Sequence, residues 1–249
     1  MQFRFHDQTI TVNMPTRAAL EAEVMQRFDA REGFALATVN LDHLVKMRAS
    51  PAFTTAYAAQ DLVVADGWPI AALSRLARRP VTLMPGSDMV IPLCQMAAKA
   101  GVKVGFLGST DAALETARNA LQDTVPGLEV AFLNGPAMGF DPSGAEAETL
   151  LTQLEEQDIS LCFLALGAPK QEALAARGRA FAPSVGFASI GAGIDFLSGR
   201  QHRAPALMRR MGLEWLWRAL SSPRRLIPRY ARCFAILPAE IGKALKLRG

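Results

Sequence analysis

Val102-Lys103-Val104-Gly105-Phe106-Leu107-Gly108-Ser109-Thr110, continued by Asp111-Ala112-Ala113-Leu114-Glu115-Thr116-Ala117-Arg118-Asn119-Ala120-Leu121-Gln122-Asp123, decides the fold. The first six residues form a short, mostly apolar run of strand length. The chain then turns on Gly108 and meets Ser109 and Thr110, residues suited to capping a helix. Apolar positions follow at the three-to-four spacing of a helix through residue 124. Strand, tight turn and helix together make half of a βαβ unit, and the unit recurs. Apolar or β-branched runs occupy residues 34–39, 62–65, 130–133, 159–166 and 185–190, and a second helical pattern covers 144–157. Near-continuous apolar strands alternating with helices imply a sheet buried on both faces. The expected fold class is therefore α/β: a Rossmann-like, mostly parallel sheet with helices on both faces. Ahead of it, residues 1–15 read as a short hairpin with alternating side chains.

Strand-helix alternation stops near residues 199–205, and a different composition begins. Residues 200–249 hold twelve Lys/Arg and two acids, whereas residues 1–199 hold fifteen Lys/Arg against twenty-one acids. The overall charge of +4 thus conceals an acidic body and a strongly basic tail. Two units are expected, 1–199 and 200–249. Clustered cations attract a polyanion over about a Debye length, ~8–10 Å at physiological salt. Nucleic acid and an anionic membrane surface both qualify. The tail also interleaves Trp215, Trp217, Leu220, Leu226, Ile227, Tyr230 and Phe234 with its arginines, which is the composition of an interfacial helix. A helical appendage that packs this apolar stripe on the body and solvates its arginines fits equally well.

Half of the 249 residues are hydrophobic, ample for a buried core. The start lacks a basic-then-apolar leader pattern, so export is not expected. No run reaches the ~18–20 apolar residues that span a bilayer. The longest uncharged stretch, 180–194, is broken by Pro183 and three glycines. Cys94, Cys162 and Cys233 are scattered, as are His6, His43 and His202; this suits reduced thiols in a cytosolic protein and suggests no metal cluster.

Ligands of open α/β sheets sit beyond the carboxyl ends of the strands, so the loops there carry the chemistry. Gly108-Ser109-Thr110 presents backbone N–H groups at a helix start, where an anion such as a nucleotide phosphate is favoured; a plain βα turn would look the same. Gly191 and Gly193 let backbone approach a ligand closely or form a constricted turn. Lys170 and Gln171 follow Pro169 at a helix start, where a cation is unfavourable unless an anion is bound. Asp66 follows an apolar strand and precedes Gly67 and Pro69, which places a carboxylate at the mouth of the sheet as a base or as a helix cap.

Taken in order, TVNLDHL (38–44 with Thr38 and Asn40), VVADGWPI, PGSD, GFLGST, LGAPKQE, GAGIDFLSG, HRAP and LEWLWRALSSPRRLIPRY resemble the WecG/TagA/CpsF family of bacterial glycosyltransferases across nearly the whole chain. The resemblance implies an inverting, metal-independent transferase without cofactor. It would take an N-acetylmannosamine-type sugar or glucose from a UDP-sugar donor. The sugar would go to a polyprenyl-diphosphate-linked sugar acceptor in bacterial surface polysaccharide or teichoic acid synthesis. It implies Asp66 as the base, with Thr38, Asn40 and Gln171 in the same site. It further implies Gly108, Ser109, Lys170, Gly191, Gly193, Asp195 and Asp88 as substrate-binding positions, and Arg203, Arg218, Arg225 and Arg229 as contacts to the lipid diphosphate and membrane. Where many members carry an Arg, this chain has Leu83. With no metal cluster, Lys170 and the tail arginines are left to stabilise the departing diphosphate. Such a protein would lie on the inner face of the cell membrane, and an exposed amphipathic appendage favours a homo-oligomer in solution.

Two other classes remain. One is a non-catalytic nucleotide-binding protein whose tail binds nucleic acid, although no nucleic-acid module is recognisable. The other is an NAD-dependent oxidoreductase, which lacks its GxGxxG fingerprint here.

Overall fold

The computed structural model describes residues 1–191, 193, 194, 199, 217, 220 and 222–248, without the side chain of Arg225. Asp195, Arg203 and Arg218 therefore lie outside the described residues, as does the Arg225 side chain.

The chain opens with an antiparallel hairpin, β1 (Gln2–Phe5) and β2 (Gln8–Thr11), whose alternating residues Phe3, Phe5 and Ile10 face inward. The hairpin leads into α1 (Arg17–Ala30), capped by the Thr16 hydroxyl. Next come β3 (Phe34–Val39), α2 (Leu41–Ala49), α3 (Pro51–Ala58), β4 (Leu62–Ala65) and α4 (Trp68–Leu76). After α5 (Gly86–Ala100) the units are β5 (Lys103–Gly108), α6 (Asp111–Thr124), β6 (Val130–Asn134), α7 (Ala145–Glu156), β7 (Ile159–Ala165), α8 (Lys170–Phe181) and β8 (Gly186–Ser189). The last described helix is α9 (Pro223–Lys246).

Six strands pair in the order β4-β3-β8-β7-β5-β6, every pair parallel, so all their carboxyl ends share one edge. This is the α/β architecture the sequence predicts. Both faces are covered, and residue parity along each strand shows how. On β3 and β4, Leu36 and Val64 face a core shared with α1, α5 and α6. Ala37, Val39, Val63 and Ala65 face the opposite core, built with α2, α3, α4 and the hairpin. On β7, Cys162 and Leu164 join that second side, beneath α7 and α8.

Two strands leave the sheet in opposite directions: β5 connects outward to its neighbour β6, and β7 connects the other way to β8. The loops after β5 and β7 thus flank a switch point, where such sheets open a crevice. Helix α9 docks on α2 and α4 through Cys233, Ile241 and Ala244, while Ile227, Phe234 and Leu245 face outward. The tail helix thus packs one stripe on the body, as the second reading of its composition expects, and leaves its other side exposed. Among the described residues no helix is long and apolar enough to cross a membrane.

Candidate active site

Asn40 is the N-cap of α2, its Oδ1 accepting the His43 N–H at 3.1 Å. That bond fixes the carboxamide, and the same side chain turns its Nδ2 outward to donate to Asp66 Oδ2 at 3.2 Å. One residue thus performs the local task of capping and orients a carboxylate twenty-six positions away. The Asp66 N–H is bound to the Val39 carbonyl at 2.8 Å, so the backbone after β4 is fixed as well. Gly67, at φ 90°, takes the N-cap position of α4. Asp66 therefore stands outside the helix, half-exposed at its mouth. Leu83 bridges to Ala65 alongside, and its side chain is exposed beside this mouth.

Thr38, the last residue but one of β3, is buried and directs its hydroxyl to the Ser189 carbonyl at 3.4 Å, across to β8. Gln171 lies at the start of α8 with only 2% of its surface exposed. Its Oε1 accepts two backbone N–H groups, Gly167 at 3.1 Å and Gly191 at 3.2 Å. It is a clamp between the loops after β7 and β8, an arrangement the sequence does not announce. Gly191 has φ 59° and open space where a Cβ would stand, whereas a Cβ on Gly108, at φ 118°, would meet the Ala165 backbone at 2.5 Å. A Cβ on Gly193 would touch Ile190 and Val90 at 3.2–3.4 Å, so Gly193 serves close packing on α5.

On the other half of the edge, Ser109 adopts φ 57° and its N–H reaches the Ala165 carbonyl at 3.2 Å, fastening β5 to β7. Asp111 Oδ1 accepts the Gly135 N–H at 2.8 Å and ties in the loop after β6. The Lys170 ammonium donates to the Phe140 carbonyl at 2.7 Å. Asp88 is exposed in the first turn of α5, where a carboxylate complements the helix dipole. Strands stand ~4.8 Å apart, so the Gly108 loop lies about 19 Å along the edge from Asp66. The predicted catalytic residues Thr38, Asn40 and Asp66 thus cluster on β3 and β4, and the predicted phosphate loop is four strands away.

Behind Asp66 lies a buried polar group that the sequence does not single out. His43 is buried, its Nδ1 3.2 Å from the Tyr57 hydroxyl and its ring hydrogen-bonded to the Thr38 backbone. Burial, aided by Lys46, lowers its pKa to about 3, so the ring is neutral. Tyr57 is held well above the ordinary phenol range by burial and by the neighbouring Glu172 and Asp66 carboxylates. Glu172, 0% exposed, accepts the Gln171 Nε2–H at 2.9 Å on Oε1. Burial raises its pKa to about 7, against a smaller opposing pull from the Gln171 hydrogen bond and Lys46. Lys46 itself donates to the Ala168 carbonyl at 3.0 Å and pairs with Asp42, joining α2 to the β7 loop.

Of the tail arginines singled out by sequence, Arg229 has a described side chain. It stands 3.1 Å from Asp42 Oδ1, in the first turn of α2 and two residues past Asn40. The tail helix therefore reaches the carboxyl edge of the sheet, beside the cap of α2.

The arrangement offers an accessible carboxylate, oriented by a carboxamide, for taking a proton, and places Lys170 and Arg229 at the same carboxyl edge of the sheet. Among curated proteins, the chain is 25% identical over 222 residues to an N-acetylglucosaminyldiphosphoundecaprenol N-acetyl-beta-D-mannosaminyltransferase of Bacillus spizizenii, covering 87% of this chain and 83% of that one. It is 27% identical over 165 residues to a protein of the same description from Staphylococcus aureus, covering 66% and 63%. Residues 7–248 match the glycosyl transferase WecG/TagA/CpsF family, and with a match over nearly its whole length the chain belongs to that family.

Proposed function

We propose that this glycosyltransferase moves an N-acetylmannosamine-type sugar from a UDP-sugar to a polyprenyl-diphosphate-linked N-acetylglucosamine, with inversion at the transferred carbon. The observation that carries this reading is the Asn40–Asp66 pair at the carboxyl edge, in a chain whose relatives bear that transferase description. Asp66 removes the proton from the acceptor hydroxyl as that oxygen attacks the anomeric carbon, and UDP departs from the opposite face. Asn40 holds the Asp66 carboxylate in place. A buried base would be hard to reach and costly to ionise, so its half-open position suits the role. Charge developing on the departing diphosphate is met by the Lys170 ammonium and the arginines of residues 200–249, without a bound metal. Guanidinium groups grip phosphate in bidentate fashion, which suits a tail that receives a lipid diphosphate at the inner face of the membrane.

The test is UDP release from UDP-N-acetylmannosamine and UDP-glucose, with and without a short-chain polyprenyl-diphosphate-N-acetylglucosamine, in buffer containing EDTA. Acceptor-dependent release that Asp66→Asn abolishes is the expected result. Release that needs added divalent cation would overturn the metal-free step, and full activity in a chain ending at Gly199 would remove the tail from the site.

A further inference from the structure

We propose that Glu172 is a positioning residue of the transfer site, acting through Gln171 to hold the loops after β7 and β8 together; this rests on the transferase reading above. The carboxamide of Gln171 must present oxygen to Gly167 and Gly191, because both loop groups are N–H donors. Its Nε2 then faces inward, where a buried donor without an acceptor is expensive. Glu172 Oε1 is that acceptor, at 2.9 Å. Reversing the carboxamide would set an NH2 against two N–H groups and leave its oxygen against the Glu172 carboxyl. The orientation of the clamp is therefore set from behind.

Neighbouring residues of a helix do not ordinarily face each other, so this contact exists only because both side chains fold inward from the first turn of α8. An acid whose sole task was to complement the helix dipole would sit in water. Glu172 is instead sealed, and its backbone carbonyl is held by Gln60 Nε2 at 3.0 Å, tying it to the end of α3. Its Oε2 has no hydrogen-bond partner among the described residues. A proton on Oε2 leaves Oε1 free to accept from Gln171, and the raised pKa of about 7 fits a carboxyl that keeps this proton close to neutrality. The charged and titratable groups around it are Lys46, His43 and Tyr57, with Asp66 on the other side of Tyr57 and the Asp42–Arg229 pair beyond His43.

Two variants of the full chain separate the possibilities. Glu172→Gln keeps an acceptor oxygen facing Gln171 and cannot ionise; Glu172→Leu supplies no acceptor. Amide exchange of Gly167 and Gly191, read without substrate, should quicken about tenfold or more in Glu172→Leu and stay near the wild-type rate in Glu172→Gln. In steady-state assays, Glu172→Leu should raise the donor KM more than it lowers kcat, and Gln171→Leu combined with it should add little. Glu172→Gln, which keeps the acceptor, should hold the donor KM near the wild-type value. Unchanged exchange of both amides in Glu172→Leu, or fully additive effects of the two leucine variants, would overturn the proposal. Should Glu172→Leu fail to fold, exchange of Gly167 and Gly191 that quickens in Glu172→Gln as much as in Gln171→Leu would do so instead. Because the exchange experiment uses no donor or acceptor, it decides the role of Glu172 even if the wild-type protein releases no UDP.

Discussion

Two carboxylates serve the same edge of the sheet and are treated in opposite ways. Asp66, after β4, is half-open and oriented by the outward-turned Asn40 carboxamide. Glu172, after β7, is fully enclosed, and the carboxamide it contacts holds two loop amides. The contrast teaches how a parallel sheet divides labour. An acid that must exchange a proton with a ligand keeps access to it, whereas an acid that must set geometry is sealed away from the ligand. The strongest way to break this comparison is Asp66→Asn. General-base loss should lower kcat by about 10²–10⁴-fold with UDP affinity retained. Thermal melting should move little, because the side chain is partly exposed and stability changes at such sites are within about 0.5 kcal/mol. A large loss of stability with residual activity would reverse the assignment of roles.

The same division applies to the glycines of these loops. Gly108→Ala drives a Cβ into the Ala165 backbone at a φ that side chains rarely adopt. It should cost about 3 kcal/mol or more in denaturant unfolding. Gly191→Ala meets open space, and only the left-handed backbone opposes it, about 1–2 kcal/mol. If the two cost the same, the sealed and open halves of the edge are not distinct.

Proton linkage distinguishes the buried groups. The Glu172 pKa is raised from 4.5 to about 7, so between those values the folded chain holds a proton that the unfolded chain releases. Its stabilising effect is present at the acid end and lost as pH rises through about 7. His43 runs the other way: lowered from 6.5 to about 3, it stabilises the fold above 6.5 and loses that contribution as pH falls toward 3. Wild type should therefore show opposing slopes in melting temperature. Glu172→Gln should retain only the acid-side loss, and should gain on wild type as pH rises. Parallel curves for the two proteins would show that Glu172 is ionised in both states.

Asn40 joins the two themes. Asn40→Ala removes the α2 cap and the Asp66 donor together. It should cost about 1 kcal/mol of stability and a further drop in kcat of about tenfold, smaller than the loss of Asp66 itself.

The framework was legible because it depends on local pattern. Runs at 34–39 and 62–65 coincide with β3 and β4, and the remaining strands and the helices at 110–124 and 144–157 shift by one or two residues at their ends. In the candidate site, the meeting of Asn40 and Asp66 was legible, because each stands in the loop directly after its strand. The site was not legible where meaning requires packing. Glu172 reads as an ordinary first-turn acid, and Tyr57 as one more aromatic in an apolar helix; only the docking of α3 against α2 and α8 brings His43, Tyr57 and Glu172 together. For Gln171, sequence places it at the site but does not show that its oxygen is spent on two backbone amides.

The smallest expected effect tests how the tail meets this edge. Asp42, in the first turn of α2, lies between Arg229 at 3.1 Å and Lys46 at 3.0 Å, and so links α9 to the helix whose cap orients Asp66. The pair is partly exposed on the Arg229 side, so Asp42→Asn should cost no more than about 1 kcal/mol. Cys233, Ile241 and Ala244 should keep α9 docked through their apolar contacts. The change should instead appear locally: faster amide exchange near Arg229, unchanged exchange near Ala244, and greater sensitivity of activity to salt as the freed guanidinium finds the diphosphate by charge alone. Exchange that quickens along all of α9 would mean that the ion pair, and not the buried stripe, fastens the tail beside the base.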